Sequence, residues 1–453
     1  LQKAGSGLDS PILMKTPTHP LCCGLGRRTS GQRRERRART GFLPFTKITL
    51  ALALLVCCLA PIPASAQSTD VLTYHNDNAR TGQALHEEIL NPANVTTNHF
   101  GLLRVLNTDG KVDAQPLYAA GIPIPGQGVR NVLFVATEHD SVYAFDADST
   151  NVFWKVSVLG NDEVPSDIRG CSQVTPEIGI TSTPVIDRQL GINGTIFVVA
   201  MCKDGSGNYY QRVHALDLAT GADRVPPATV AASFPGTGDN SSGGFVIFAP
   251  DRYKDRASLL LLNGVVYTAW SSHCDFRPYT GWVMGYDEQT LAQTAVLNVT
   301  PNGNEGAIWM SGAGLAADDE GNIYFLDGNG TLDTTLTPQG FPSQGDFGNS
   351  FIKLTTANGA LAVADYFAPS NSIAENQVDQ DLGSGGALVL PDMTDAQNQT
   401  RQLAVGAGKD SQIYLVDRSN LGKYSSLTNA IYQQVGGAIL GGVWAMPAYF
   451  NGT

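Results

Sequence analysis

Long apolar runs, helical periodicity, positive charge and metal-type histidine or cysteine spacings are all scarce in this sequence. Crossing a bilayer takes about 20 consecutive apolar residues, and the longest such run, Ile48 to Leu59, is shorter. A membrane span is therefore not expected. From Val71 onward no window carries a sustained helical period, so strands and turns are the material left to build with. His75, His86, His99, His139, His214 and His273 show no zinc-ligand spacing. Ser182 and Ser384 lie in no nucleophile elbow, which removes support for a serine hydrolase. After residue 66 there are 19 Lys or Arg against 39 Asp or Glu, a net charge of −20. Such a surface repels nucleic acid and anionic membranes.

What basic charge there is gathers at the front. Arg27 to Arg39 is dense in arginine, Ile48 to Leu59 is apolar, and Ala64-Ser65-Ala66 offers small residues. These are the three regions of a secretory signal. The expectation is a basic leader and signal peptide over 1–66, cleavage near Ala66, and a secreted or periplasmic domain over 67–453. A twin-arginine signal is the weaker variant, since Arg36-Arg37 is not followed promptly by the apolar run. Cys57 follows Val56, where a lipoprotein signal would want a small residue, so no lipid anchor is expected. The sequence opens on Leu1 and stops at Thr453 inside what reads as a strand pair, so it is expected to be a fragment, incomplete at its C-terminus. Three cysteines follow the leader: Cys171, Cys202 and Cys274. In an oxidising compartment two can pair; the pairing is not readable from spacing, and Cys171 with Cys202 is the expected one.

Short runs rich in Val, Ile, Tyr and Phe recur between Gly, Asn, Asp and Pro. Asn131 to Phe145 reads as strand, polar turn, strand, closing on Asp146. Gly194 to Gly221 repeats the pattern around Asp217, and Asn263 to Asp287 gives a third copy. Gly321 to Leu354 is a fourth without the acid, and Arg401 to Asp417 a fifth. Asp146, Asp217 and Asp287 are 71 and 70 residues apart. A further strand precedes the copies, as at Gln115 to Tyr118, Ser182 to Ile186 and Gly385 to Leu390, giving about four strands per unit. Units of that kind cannot bury both faces alone, and radial stacking solves the problem. The predicted fold is all-β, a β-propeller of four-stranded blades with five blades and the start of a sixth at Trp444, and about eight when complete. A β-sandwich fits the regular repeat less well.

The order of segments resembles that of the pyrroloquinoline quinone (PQQ) dependent alcohol dehydrogenase propellers, and more closely a group of uncharacterised exported propellers related to them. The likeness runs from Val71 to Thr453. It rests on Leu72 to Gly82 (LTYHNDNARTG) with Leu90 to Val95 as a lead-in segment, and on blade punctuation such as Ala215 to Gly221 (ALDLATG). The resemblance implies a quinone over the central channel beside calcium or a lanthanide. Asp379 stands where the family has its catalytic base and Asp381 where lanthanide enzymes carry a second acid. Asn329 stands at the metal-ligand asparagine, and Lys409 at the cation that contacts the quinone. Trp309 and Trp444 are the tryptophans that suit the channel mouth, Trp444 as the cofactor-binding candidate. Two carboxylates and an amide oxygen suit a hard cation.

The sequence departs from the pattern elsewhere. Where the family carries its metal-binding glutamate, residues 202–207 read Cys-Lys-Asp-Gly-Ser-Gly; Asp204 would substitute only with a rearranged turn. No vicinal cysteine pair follows the leader, and Val378 replaces the family's tryptophan. Simpler readings stand beside these: Asn329 as a turn residue tolerating positive φ, Lys409 as an exposed hairpin cation, and Asp379 and Asp381 as a solvated loop. The expected function is a non-catalytic scaffold binding a small molecule, glycan or protein on its loop face. The alternative is a PQQ- and metal-dependent oxidoreductase; PQQ with its cation and no cofactor at all are equally compatible with the sequence.

Overall fold

The computed structural model describes residues 69–450. The expected leader and cleavage site lie outside this range, as do Asn451 to Thr453. Five antiparallel sheets follow one another along the chain. The first holds Leu117–Ile124, Gly128–Ala136, Ser141–Asp146 and Val152–Ser157 in that order. The second is built on Val185–Asp187, Thr195–Asp204, Tyr209–Asp217 and Ala228–Thr229. Leu260–Leu262, Val265–Ala269, Trp282–Asp287 and Gln293–Asn298 make the third. Ala316–Ala317, Ile323–Leu326, Phe351–Thr355 and Ala362–Ala368 make the fourth, with Lys423–Tyr424 added in parallel. The fifth is Leu388–Val389, Leu403–Ala407, Ile413–Asp417 and Gln433–Val435. All five repeat copies read from the sequence are the second and third strands of these sheets. Among the described residues, none beyond Val435 forms a strand.

The apolar runs follow from how the sheets stack. Side chains alternate between the two faces of a strand. On Thr195–Asp204, Ile196, Val198 and Ala200 pack on the first sheet, whereas Phe197 and Val199 pack on the third. The third sheet likewise shares one core with the second through Val266 and Met284, and another with the fourth through Tyr267 and Val283. Tyr324 and Phe351 of the fourth share a core with Ala404 and Tyr414 of the fifth. Strands buried on both faces read as unbroken hydrophobic stretches, and a stack of such sheets in chain order is a β-propeller.

The recurring aspartates have a local cause. Asp146, Asp217, Asp287 and Asp417 end the third strands, and each carboxylate accepts the backbone N–H two residues on, at 3.0, 3.0, 3.2 and 2.9 Å. They are Asx turns that fix the chain as it leaves the third strand.

Residues 71–82 form a hub. Val71 exchanges both backbone hydrogen bonds with Tyr118 of the first sheet, and the Leu72 carbonyl accepts from Ile186 of the second. Asn78 donates its side-chain amide to Leu261 of the third and accepts from Ala317 of the fourth, while Ala79 accepts from Val389 of the fifth. Thr81 then accepts from Tyr449. Left-handed backbone at His75, Asn76, Arg80 and Gly82 lets so short a segment turn from one sheet to the next. Arg80 is fully buried, and its guanidinium reaches Leu259 and Leu315 carbonyls at 3.0 and 2.9 Å as well as Thr73 Oγ1, Tyr74 and Asp77. Burial lowers its pKa to about 10, partly opposed by Asp77.

The cysteine pairing differs from the expected one. Cys171 is bonded to Cys274, with Cα atoms 5.8 Å apart, and Cys202 is free and buried. Cys202 sits in the paired part of its strand, opposite Tyr210 and Pro165. Its thiol donates to Glu163 at 3.3 Å, and the same carboxylate holds Arg212. Cys171 instead lies in a loop that reaches the third sheet.

Arg80→Met would strand the carbonyls of Leu259, Leu315 and Tyr74 in the core at about 1–3 kcal/mol each. A large fall in unfolding temperature is expected by calorimetry. Arg80→Lys, with three donors in place of five, should fall between the variant and the parent.

Candidate functional site

Two kinds of loop emerge on one face of the stack: those joining second to third strands, and those leading from an outer strand to the next inner strand. Together they line a cavity of about 440 Å³. The first kind supplies Asp275 and Tyr279 from the third sheet, Asn329 from the fourth and Lys409 from the fifth. The second supplies Gln173, Arg256, Glu305, Trp309, Ser311, Asn376, Asp379, Asp381 and Ser384, with Trp444 following the fifth sheet. All five residues singled out in the sequence, Asn329, Asp379, Asp381, Lys409 and Trp444, stand around this one space. Trp154, Trp270 and Trp282 pack between sheets.

Close backbone packing brings these loops together. A Cβ on Gly383 would lie 2.3 Å from the Asp327 carbonyl carbon, and one on Gly408 2.4 Å from the Leu382 Cα. Only glycine lets the three segments carrying Asn329, Asp381 and Lys409 meet this closely. Behind them Asn349 accepts the Leu382 N–H at 2.7 Å and donates to Glu375 at 3.2 Å. Burial first, then Asp410, pushes the Glu375 carboxyl up to about 7.

At the centre the Lys409 ammonium lies 2.6 Å from Asp379 and 2.7 Å from Asp381. The Asp379 side chain is 75% exposed and that of Asp381 only 5%, so the second bond is made in a far drier place. Burial pushes the Asp381 pKa up, and Lys409 offsets part of that. Burial would lower Lys409, but the two carboxylates outweigh it and hold the ammonium above its usual value. Asn329 donates to Asp379 at 3.3 Å, while its buried Oδ1 has no partner. Asn329 does not adopt positive φ; Asn349, later in the same connection, does.

A hard cation beside a quinone asks for more than this set supplies. The unpartnered Asn329 oxygen and the buried Asp381 favour such a group. Yet Lys409 already spans both carboxylates, and calcium takes six to eight oxygens. Asp204 is no substitute ligand: it accepts from Ser206, Asn208 and Tyr210 and caps its own hairpin. Among the described residues no three His, Cys, Asp or Glu converge as a metal would need. The donor set does not fit a resident metal.

Arg256, Glu305, Asp275, Tyr279, Gln173 and Asn376 were not picked out from the sequence. Each lies in one of the two loop classes, so the phase of the repeat is the signal that finds them.

No family model matches the sequence, and no curated protein matches it. Solved structures do. The quinohemoprotein alcohol dehydrogenase of Comamonas testosteroni superposes with a TM-score of 0.54 at 17% identity, over 80% of this chain and 49% of that one. A second quinohemoprotein alcohol dehydrogenase, from Pseudomonas putida HK5, gives 0.55 at 16% identity over 81% and 48%. A europium-containing methanol dehydrogenase gives 0.52 at 13% identity over 82% and 58%. The chain thus spans about half the length of the first two structures. At such identities the likeness establishes the fold, the quinoprotein-type β-propeller, and function rests on the residues of the site.

Lys409→Met would leave Asp381 buried with no countercharge, raising its folded pKa further above the unfolded value. A carboxyl so shifted costs stability as pH rises through that interval. The loss relative to the parent should be smallest near pH 4 and largest near pH 8, at about 3–5 kcal/mol, in thermal unfolding across pH.

Proposed function

We propose that this chain is an exported, non-catalytic propeller that binds a small polar ligand in the loop-face cavity. The observation that carries the reading is the Lys409 bridge between Asp379 and Asp381. The positive charge that those acids require is covalently part of the protein, so the pair needs no metal to be stable. Trp309 and Trp444 offer apolar faces, while Gln173, Ser311, Asn376 and Ser384 offer hydrogen bonds. Apart from these two rings the lining is almost wholly polar or charged, which suits a polar ligand, and 440 Å³ falls within the usual range for a small-molecule site. Export rests on the leader-like composition of residues 1–66.

A second reading, a PQQ-dependent oxidoreductase with calcium or a lanthanide, is favoured by the unpartnered Asn329 oxygen beside Asp379. Asp379 would then be the base, Asn329 and Asp381 the ligands, and Lys409 and Trp444 the quinone contacts.

Titration with PQQ plus Ca²⁺ or La³⁺, following quinone absorbance and unfolding temperature, separates the two. Neither ion is expected to promote quinone binding. A panel of small polar compounds should contain at least one that raises the unfolding temperature, with the effect reduced in Trp309→Ala and Trp444→Ala. Tight, cation-dependent PQQ binding lost in Asp379→Ala and Asp381→Ala would instead establish the quinone site and call for an alcohol screen.

A further inference from the structure

The two sulfurs of the Cys171–Cys274 bond stand in different surroundings. Cys171 is 1% exposed, whereas Cys274 is partly exposed and opens the exposed run Asp275 to Arg277. A turn explains the difference. The Phe276 N–H donates to the His273 carbonyl at 3.1 Å, and the two central residues, Cys274 and Asp275, both have left-handed backbone. Cys274 is thus carried to the corner of a surface turn while Cys171 stays in the interior.

Beside the inner sulfur lies a buried lysine. Lys254 stands opposite Ser271 in a two-stranded ladder, Tyr253–Lys254 with Ser271–Ser272, that leads straight into the turn. Its side chain is fully buried, and the ammonium donates to Cys171 Sγ and to Gln173 Oε1 at 3.1 Å each. Among the described residues no carboxylate forms an ion pair with it. Burial, then Arg256 and Arg169, lower its pKa to about 7, and Glu138 and Asp275 oppose this less strongly. The ammonium therefore hydrogen-bonds to neutral acceptors, and a negative charge on Cys171 Sγ would supply the contact partner it lacks.

We propose that this bond is a site of thiol–disulfide exchange, in which Cys274 takes up a small external thiol and Cys171 departs as a thiolate paired with Lys254. The incoming thiolate attacks the Cys274 sulfur, the bond to Cys171 breaks, and a new S–S bond joins Cys274 to the incoming sulfur. The electron pair of the broken bond stays on Cys171 Sγ, beside the ammonium. No oxidant or reductant is consumed. Exchange is fastest when the attacked sulfur is accessible and the leaving thiolate is stabilised. Here those two properties fall to opposite ends of one bond. Return attack by Cys171 releases the thiol and restores the disulfide. While the adduct lasts, its substituent stands next to Asp275, and the bridge that fixes the loop of Gln173 is open; both residues line the cavity, so exchange remodels its wall.

The test is incubation of the folded protein with reduced glutathione at fixed pH without oxygen. Free thiols are then alkylated with one reagent in the folded state and with a second, of different mass, after denaturation, and the sites are mapped by mass spectrometry. The expected product carries glutathione on Cys274 and a free thiol on Cys171. Cys202 is the internal control: it is buried, burial pushes its thiol up to about 12, and it should react only with the second reagent. Lys254→Met, which removes the charge, should slow adduct formation roughly tenfold or more, the loss of one charge-assisted hydrogen bond. Glutathione on Cys171, or equally on both cysteines, overturns the proposal. So does alkylation of Cys202 in step with the adduct, which would mean that the chain had unfolded first, or an unchanged rate in Lys254→Met, or no adduct at all. The position of the adduct on the unaltered protein carries the test if the variant folds poorly.

Discussion

A guanidinium shut away from water must find an acceptor in every direction its N–H groups point, and Arg80 finds them on parts of the chain far apart in sequence. Leu259 belongs to the approach to the third sheet and Leu315 to the approach to the fourth, while Thr73, Tyr74 and Asp77 belong to the hub itself. Sheets in a radial stack touch only their neighbours, so nothing in their own cores relates the first to the fifth. The hub does: its groups meet the five sheets in chain order. Position around the axis is thereby specified by polar contacts with fixed geometry, whereas the cores between sheets would accept any well-filled apolar face.

The two rims of the stack divide the work. On one, repeated Asx turns at Asp146, Asp217, Asp287 and Asp417 spend their carboxylates on local backbone and have none left for a ligand. On the other, the loops differ in length and sequence from sheet to sheet, and their acids, amides and tryptophans converge on one space. A rigid repeat carrying irregular loops is the usual division between scaffold and site. The same residue type therefore means different things on the two rims: Asp217 holds a hairpin, whereas Asp381 shapes the electrostatics of a cavity.

The sheets were legible because burial on both faces forces consecutive apolar residues, a pattern local enough to be read in windows of six to ten. The site was legible only through resemblance, which led to Asn329, Asp379, Asp381, Lys409 and Trp444; the roles attached to them depend on chemistry that sequence does not carry. Arg256 and Glu305 belong to no motif; only the phase of the repeat, which assigns their connectors to the loop face, points to them. Arg80 was quoted as part of a lead-in motif, but its burial runs against the usual exposure of arginine. The disulfide was misread for a related reason. Cys171 and Cys202 are the nearer pair in sequence, yet the folded chain carries Cys171 to a loop 103 residues further on.

That bond has a topological effect as well as a local one. It closes a covalent ring that contains four of the five strands of the second sheet and ends in the third, tying the two sheets together. Closing a ring of this size restricts the unfolded chain by about 4–5 kcal/mol in the chain-entropy picture. A protease that cut anywhere inside the ring would leave both fragments joined, with the cavity-lining Gln173 and Asp275 still tethered through the bond. A chain nicked there would keep this part of the cavity wall covalently tied together.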